Sequence, residues 1–521
     1  MLKKNHGAYF KILFFYFSLV IGMYFFTKFK SNSDTMSELH GTSRKLLGLK
    51  NCTTRSIEEF PNDFMTRKER KNGGIIFHIF VSMYLFVALA IICDEYFVSS
   101  LERLCEVFNI KHDVAGATFM AAGSSAPELC TSVIGVFITK SDVGISTIVG
   151  SAVFNVLCII AICGIFVGSV IHLNWWPMFR DCIIYCLSII ALIIILNDGL
   201  IQWYEALVML FMYVAYIIIL YYNGNLYGFV IQRLPRLKGY GEEHNPLISQ
   251  NLPTSFGLLD SSEEEEIMET GDVDSIHSRI RLDEDMTNLE GESPTIFEVP
   301  NSFCHRLYWV AMLPVAAICY FTIPDCRKPG IWRKLFLVTF FISVIWISVA
   351  TYILVWMICL IGWFLLFLTL NIMFYAGDTL DIPDTIMGLT FLAAGTSIPD
   401  AIAGYLVAKD GYGDMAISNS IGSNVFDILI CLGLPWFIRT SFLNPGSEIP
   451  VESSSLIFTT ITLLSTVVVL VATIMVNKWK LNRFLGFIFL ALYMLIIALS
   501  SLFELNILGN FNRPPCPRTS S

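Results

Sequence analysis

Apolar residues in this chain fall in long unbroken runs, where a half-buried helix or strand would show period-3.6 or alternating spacing. Runs of about 18 residues or more recur from Ile75 to Leu505, and each can cross the ~30 Å hydrocarbon core of a bilayer as one helix. The pattern predicts spans near 75–96, 114–138, 145–169, 182–198 and 202–222 in the first half, and near 335–358, 385–408, 415–438, 457–476 and 483–505 in the second. The fold class that follows is an all-α polytopic membrane protein of about ten core helices.

Polar segments divide the chain. Lys3 and Lys4 precede an apolar stretch from Tyr9 to Phe26, which gives residues 1–30 the form of a signal peptide or signal anchor. Residues 31–74 follow as a lumenal or extracellular segment holding the sequon Asn51-Cys52-Thr53, a glycosylation acceptor. The stretch 223–305 has little that could form a core and contains the acidic run from Asp260 to Glu266, so it reads as a cytoplasmic loop with a solvated face. Ser261 and Ser262, each with an acid three positions on, are candidate phosphorylation sites within it. Arg233, Arg236 and Lys238 at its start, and Lys478, Lys480 and Arg483 further on, fit the positive-inside rule. Residues 509–521 form a short tail.

Two apolar pieces complicate the count of crossings. Residues 307–323 carry Pro314 in mid-segment, which favours a broken or interfacial helix over a full span. Residues Cys359 to Tyr375 extend an uncharged run from Leu335 to Gly377, too long for one ordinary span and awkward for two. If the two halves are inverted, the chain must cross an odd number of times between the loop and Pro383. Parity survives if neither extra piece crosses or if both do; the expectation is that neither crosses, giving ten crossings.

Composition agrees with a membrane protein, with 55% hydrophobic and 15% charged residues. The net charge of −9 comes largely from the acidic loop and gives no reason to expect nucleic acid as a partner. The fourteen cysteines include no CxxC pair. Cys158, Cys163, Cys182 and Cys186 sit in apolar runs as small filler, whereas Cys52, Cys326 and Cys516 lie outside the spans.

The candidate chemistry lies in a duplicated segment. GATFMAAGSSAPELCTSVIGVFITKSDVGISTIVGSAVFNVL from Gly116 recurs as GLTFLAAGTSIPDAIAGYLVAKDGYGDMAISNSIGSNVFDIL from Gly388, an offset of 272 positions. Ungapped, Ser124 matches Thr396, Glu128 matches Asp400, Ser151 matches Ser423 and Asn155 matches Asp427. Pro127 and Pro399 cannot donate backbone hydrogen bonds, so the carbonyls of Gly123 and Gly395 lose their helical partners. Ser124 with Glu128, Ser151 with Asn155, Thr396 with Asp400 and Ser423 with Asp427 stand four apart, which places each pair on one helix face. Calcium and sodium are hard cations that take oxygen ligands. A carboxylate at the bilayer centre costs at least ~2.5 kcal/mol, so three in matching repeats imply a counter-cation. The competing reading has Glu128 and Asp400 merely capping helix starts. Among other polar positions, Asp94 and Glu95 read as interfacial, Glu205 as the edge of an aromatic belt, and His78 as a packing residue. The small-residue spacing of Ala122 and Ala126 favours close helix contact.

AAGSSAPEL with GSAVFN, and AAGTSIPD with GSNVFD, resemble the two alpha repeats of the potassium-dependent sodium/calcium exchangers, within the calcium/cation antiporter superfamily. The resemblance extends from about Glu59 to Gly509 through FPNDFMTRKERKNGG, WWPMFRDC, TIPDCRKP and GSNVFDILICLGLPW. The short loop, ATYILVWM and SIPDAIA are most similar to the branch associated with pigment-cell organelles and the trans-Golgi network. The resemblance implies two inverted five-helix repeats, with alpha repeats at 114–157 and 384–429, and antiport of sodium against calcium plus potassium. It implies Glu128 and Asp400 as paired acids for calcium and sodium, with Ser124, Ser125, Thr396, Ser397, Ser151 and Ser423 as supporting hydroxyls. It implies Asp427 as the acid linked to potassium dependence, with Asn424 and Asn155 beside it. No cofactor and no enzymatic activity are expected, since no nucleophile and base pair stands out. The expected partners are the transported cations and the lipid bilayer, with a homo-oligomer left open. The expected location is an organelle membrane in preference to the plasma membrane.

One departure from the family pattern stands out: CLIGWFLLFLTLNIMFY intervenes before Gly377-Asp378-Thr379. It is open to reading as a re-entrant extension, a splice variant or a translated intron, and as a single added crossing it would invert the second repeat. Two other functional readings stay open on sequence alone. One is a potassium-independent or proton-coupled cation antiporter; the other is a transport-inactive membrane scaffold. The sequon gives a direct check of sidedness. N51Q is expected to increase gel mobility by the same amount as glycosidase treatment of the unaltered protein, and no shift in either case places Asn51 away from the lumen.

Overall fold

A backbone crossing hydrocarbon must pair its own N–H and C=O groups, and the long apolar runs accordingly form helices. The computed structural model describes residues 74–108, 121–168, 170–233, 303–327, 332–373, 384–409, 413–451 and 455–505, with isolated positions 60, 61, 64, 65, 69 and 453. The signal segment, Asn51, Cys52, the acidic run with Ser261 and Ser262, Gly377 to Thr379 and the tail with Cys516 lie outside the described residues.

Among the described residues, ten long helices form the two halves. The first half has α1 (75–108), α2 (121–139), α3 (143–166), α4 (Trp175–Leu196) and α5 (Trp203–Tyr221). The second has α6 (Phe336–Met373), α7 (384–409), α8 (413–443), α9 (Ser455–Val476) and α10 (Arg483–Glu504). Eight of these are long and apolar enough to span, and the two parts of α7, bent by 41° at a short break, make a ninth. The tenth, α2, is described only from Ala121. Helix α4 begins seven residues before the expected 182, because Arg180 and Asp181 pair at 2.7 Å and neutralise each other inside the helix. The chain divides into two compact units, the second being 238–322. In that second unit, Phe303–Thr322 is a continuous helix passing through Pro314, where the sequence favoured a break or an interfacial helix.

Two small antiparallel strand pairs fix the direction of the halves and are the described exceptions to an all-helical fold. Strand β1 (Ile171–His172), between α3 and α4, pairs with β4 (Lys480–Leu481), between α9 and α10. Strand β2 (Leu200–Ile201), between α4 and α5, pairs with β3 (Ile449–Pro450), between α8 and α9. Helix α3 therefore ends at the β1/β4 face, whereas its counterpart α8 ends at the β2/β3 face. Helices α4 and α9 run antiparallel for the same reason. The side chains agree: Ser453 N–H donates to Asp142 Oδ2 at 2.6 Å, and Thr385 Oγ1 donates to Glu504 Oε2 at 2.9 Å. These bonds bring the start of α3, the start of α7 and the end of α10 together at the β2/β3 face. The halves are inverted.

Inversion requires an odd number of passes between Tyr222 and Asp384, and α6 supplies one unbroken pass. Its 38 residues run ~57 Å at 1.5 Å per residue, so the inserted apolar run continues the helix through Met373 and does not form a separate span. Helix α6 starts beside the end of α1, where Phe97 stacks on Phe340 at 5.3 Å and Arg327 pairs with Glu95 at 2.5 Å. Burial opposes the Arg327 charge, but Asp325 and Glu95 together hold its guanidinium above the ordinary range. Glu95 lies in the π-helical stretch Ile92–Val98 within α1, exposed and paired with Arg327. His78 is buried and stacked on Phe64 at 5.7 Å, as a packing residue should be. Glu205 closes a capping box with Gln202 at the start of α5, beside the exposed rings of Trp203 and Tyr204.

The repeats meet where α3 crosses the first part of α7. A Cβ on Gly150 would lie 2.4 Å from the Leu389 carbonyl oxygen, and one on Gly388 would lie 2.1 Å from Ser146 Oγ. Backbone fills the space at Gly150. G150A is therefore expected to destabilise the unit by about 1–3 kcal/mol through overpacking, read as a lowered unfolding temperature in detergent; an unchanged temperature would mean the helices can separate at no cost. Deleting 359–375 should leave the β2/β3 face on its original side, because the run adds length and not a crossing. Labelling of N444C by a membrane-impermeant thiol reagent in the deleted and full chains checks this, and opposite accessibility would refute it.

Candidate cation site

The site begins with two broken helices. Pro127 and Pro399 each withhold the N–H that would have closed on the glycine carbonyl four residues earlier. The chain leaves helical geometry at the same place in both repeats, at Ser125 (φ −90°, ψ 12°) and at Ser397 (φ −90°, ψ 2°). Glu128 and Asp400 then fall in the first turn of each second half-helix, where the helix dipole favours negative charge. Neither Glu128 oxygen has a hydrogen-bond partner and no side chain caps that helix, so Glu128 does not serve as a simple cap.

Helices α3 and α8 bring the other ligand-bearing faces. Both loosen into π geometry at the corresponding place, Phe154–Ile159 and Asp427–Leu432, a distortion often associated with functional sites. Asn155 Nδ2 donates to Asn424 Oδ1 at 3.0 Å, and Ser420 Oγ donates to the Asn155 carbonyl at 2.9 Å. Asn424 Nδ2 in turn donates to the Ser420 carbonyl. This lattice locks the two repeats together and leaves Asn155 Oδ1 unpartnered.

The sequence-derived residues converge in one buried region. Ser125, Glu128, Ser151, Asn155, Thr396, Ser397, Asp400, Ser423, Asn424 and Asp427 are all buried, with Ser124 half-buried. Glu128 lies within electrostatic reach of both Asp427 and Asp400. Thr396 faces Glu128, and Ser125 faces Asp427, in each case beyond hydrogen-bond geometry. Ser124, Ser151, Thr396 and Ser423 donate to carbonyls of their own helices, at 3.4, 3.0, 3.0 and 3.3 Å. Their hydroxyl oxygens keep lone pairs free to accept a cation. Ser125 Oγ, Ser397 Oγ, Asn155 Oδ1 and both oxygens of Glu128 are buried without a partner. Such groups cost about 1–3 kcal/mol each when left unmade, and a cluster made wholly of oxygens suits a hard cation. Among the described residues no three His, Cys, Asp or Glu side chains form a ready metal cage.

Several neighbours escaped the sequence reading. Ser132, one turn beyond Glu128, is buried with an unpartnered hydroxyl. Cys431 is apolar filler by pattern, yet its Sγ lies 3.7 Å from Asp427 Oδ1 and 3.8 Å from the Ser125 carbonyl oxygen. Cys158, Cys163 and Cys182 are free and buried, and Cys186 is free and half-buried, as filler residues would be. On α4, Asp181 accepts from Arg180 and from Ser418 Oγ of α8 at 2.7 Å, and the Tyr185 hydroxyl is buried without a partner. The signal available in sequence was the adjacent charge pair of WWPMFRDC at the edge of an apolar run.

Comparison with known proteins places these residues in context. Residues 78–222 and 335–502 match the family model described as "Sodium/calcium exchanger protein", and the two intervals contain both repeats. Human "Sodium/potassium/calcium exchanger 5" is 42% identical over 476 residues, covering 88% of this chain and 89% of that protein. "Probable sodium/potassium/calcium exchanger CG1090" of Drosophila melanogaster is 38% identical, covering 90% and 86%. Human "Sodium/potassium/calcium exchanger 4" is 37% identical, covering 93% and 90%. A solved structure of the sodium-calcium exchanger NCX_Mj aligns over 81% of this chain and 98% of that one, a loose likeness with TM-score 0.42 and 19% identity. With the family model matched across both repeats and relatives of this identity along most of its length, the chain belongs to the sodium/calcium exchanger family.

Proposed function

We propose that this protein is a potassium-dependent sodium/calcium antiporter, exchanging sodium against calcium plus potassium by alternating access. The observation that carries the reading is the pair of inverted broken helices, whose unpartnered oxygens meet an extra carboxylate, Asp427, where the first repeat has Asn155. Glu128, Asp400 and Asp427 carry three negative charges when ionised. Calcium with one potassium supplies three positive charges, whereas calcium alone would suit a site with an amide at 427. Sodium ions arriving from the other side neutralise the same acids, which makes the two cation sets compete. The empty, ionised site is costly to carry through hydrocarbon. The relatives named above as sodium/potassium/calcium exchangers support the same choice of ions.

Sidedness follows from charge. Lys478, Lys480, Arg483, Lys409 and Arg233 cluster toward the β1/β4 face, which we assign to the cytoplasm, together with the 223–305 loop. The β2/β3 face and residues 31–74 are then lumenal or extracellular. The trans-Golgi network or melanosome membrane is favoured over the plasma membrane by the segments ATYILVWM and SIPDAIA. The protein acts as a transporter and not an enzyme, with cations as cargo.

Calcium uptake into sodium-loaded cells expressing the chain tests the proposal. The unaltered protein is expected to show uptake that rises with external potassium. D427N should retain uptake but lose the potassium response, while E128Q and D400N should each lower uptake by an order of magnitude or more at equal membrane expression. Potassium-indifferent uptake by the unaltered chain would instead identify a potassium-independent antiporter. Absence of uptake, with the protein present in the membrane, would favour the scaffold reading.

A further inference from the structure

Beyond the 272-residue repeat, the halves continue in parallel at a new offset of 280, set by Trp175 against Ser455 at the starts of α4 and α9, and Trp203 against Arg483 at the starts of α5 and α10. On that register Arg180, Asp181 and Tyr185 of α4 face Thr460, Ile461 and Ser465 of α9. The fourth helix of the first half therefore carries a charged pair and a phenol that its twin lacks. The cation site has its own departure from symmetry, Asp427 against Asn155. The two departures meet in space. Helix α4 packs against the π segment Asp427–Leu432, and the Tyr185 side chain lies within electrostatic reach of Asp427. Tyr185 is fully buried, and its hydroxyl has no hydrogen-bond partner.

One turn earlier, Asp181 is held by Arg180 through two contacts, at 2.7 and 3.0 Å, and by Ser418 Oγ of α8 at 2.7 Å. That ties α4 to the helix bearing Ser423, Asn424 and Asp427. The tie fixes the height and rotation of α4, and with it the place of a phenol whose hydroxyl hydrogen-bonds no other protein group. An unpartnered phenol in a dry interior is a poor use of a tyrosine unless something absent from the protein completes it. A hydroxyl oxygen offers lone pairs to a weakly hydrated monovalent cation beside a carboxylate.

We infer that Tyr185 is a specificity-determining residue for the monovalent cation at Asp427, held in place by the Arg180–Asp181–Ser418 network. The inference rests on the proposed potassium-dependent exchange and adds to it a residue from outside the two alpha repeats. Calcium contacts lie principally with Glu128 and Asp400, so loss of the phenol should separate the two ions' affinities.

The test is Y185F, which keeps the ring and removes the hydroxyl. Initial calcium uptake into sodium-loaded cells is measured against external potassium at saturating calcium, and against calcium at saturating potassium, with surface or organelle expression quantified in parallel. The expected result is a fivefold or larger rise in half-saturating potassium and less than a twofold change in half-saturating calcium, together with an altered preference among potassium, rubidium and caesium. A merely structural tyrosine would shift both ions together or lower expression, with ion preference unchanged, and that result overturns the inference. If Y185F fails to reach the membrane, Y185M fills similar volume without a hydroxyl and is expected to show the same separation; unchanged half-saturating potassium in either variant overturns the inference. Potassium-indifferent uptake by the unaltered chain defeats the parent reading, and is distinguishable because it requires no mutant.

Discussion

Carboxylates placed in the interior of a membrane protein set the terms for everything around them. Glu128, Asp400 and Asp427 lie in one buried region, and the ionised form of such a group at bilayer depth costs several kcal/mol unless a partner is present. Among the described residues Arg180, on the helix that packs against the Asp427 segment, is already engaged by Asp181. A bound cation would supply such a partner under the proposed function, and the unpartnered oxygens of Ser125, Ser397, Asn155 and Glu128 would be ligands for it.

The same requirement explains why the backbone departs from regular α-helix at these positions. A continuous helix consumes its carbonyls and leaves only side chains as ligands. Prolines at 127 and 399 release carbonyls without opening the helix to lipid, since Ser125 and Ser397 are buried at the breaks. Inversion then does what a single repeat cannot. It sets two half-helix N-termini against each other from opposite faces, so that positive dipole ends and acidic side chains share one site. The close crossing at Gly150 and Gly388, and the Asn155–Asn424 bond, hold that arrangement in register.

Much of this was legible from sequence, for physical reasons that differ from place to place. Duplication at a constant offset exposed Ser124, Glu128, Asn155 and their partners, because polar side chains are costly in apolar runs and chance rarely repeats them at matching positions. Long runs marked most spans within a few residues. The start of α4 was missed because a hydropathy reading counts Arg180 and Asp181 as two charges, while the folded protein counts them as one neutral pair. Cys431 and Tyr185 were invisible because nothing local distinguishes a filler cysteine or a core tyrosine from one that faces an acid across a helix interface. The inserted run beyond Cys359 was ambiguous because length alone cannot separate one long helix from two short ones. The single unbroken helix Phe336–Met373 decided between them.

Inverted halves also bear on how access could alternate. Two halves with the same internal packing can exchange conformations at nearly equal energy, provided that the ties between them at each face are comparable. Each face has a buried carboxylate tie of its own. At the β1/β4 side Asp181 accepts from Ser418, joining α4 to α8. At the β2/β3 side Asp142 accepts from the Ser453 N–H, and Glu504 accepts from Ser453 and Thr385. Opening either face strains its own tie while the other stays closed, and leaving any of these carboxylates buried and unpaired is costly.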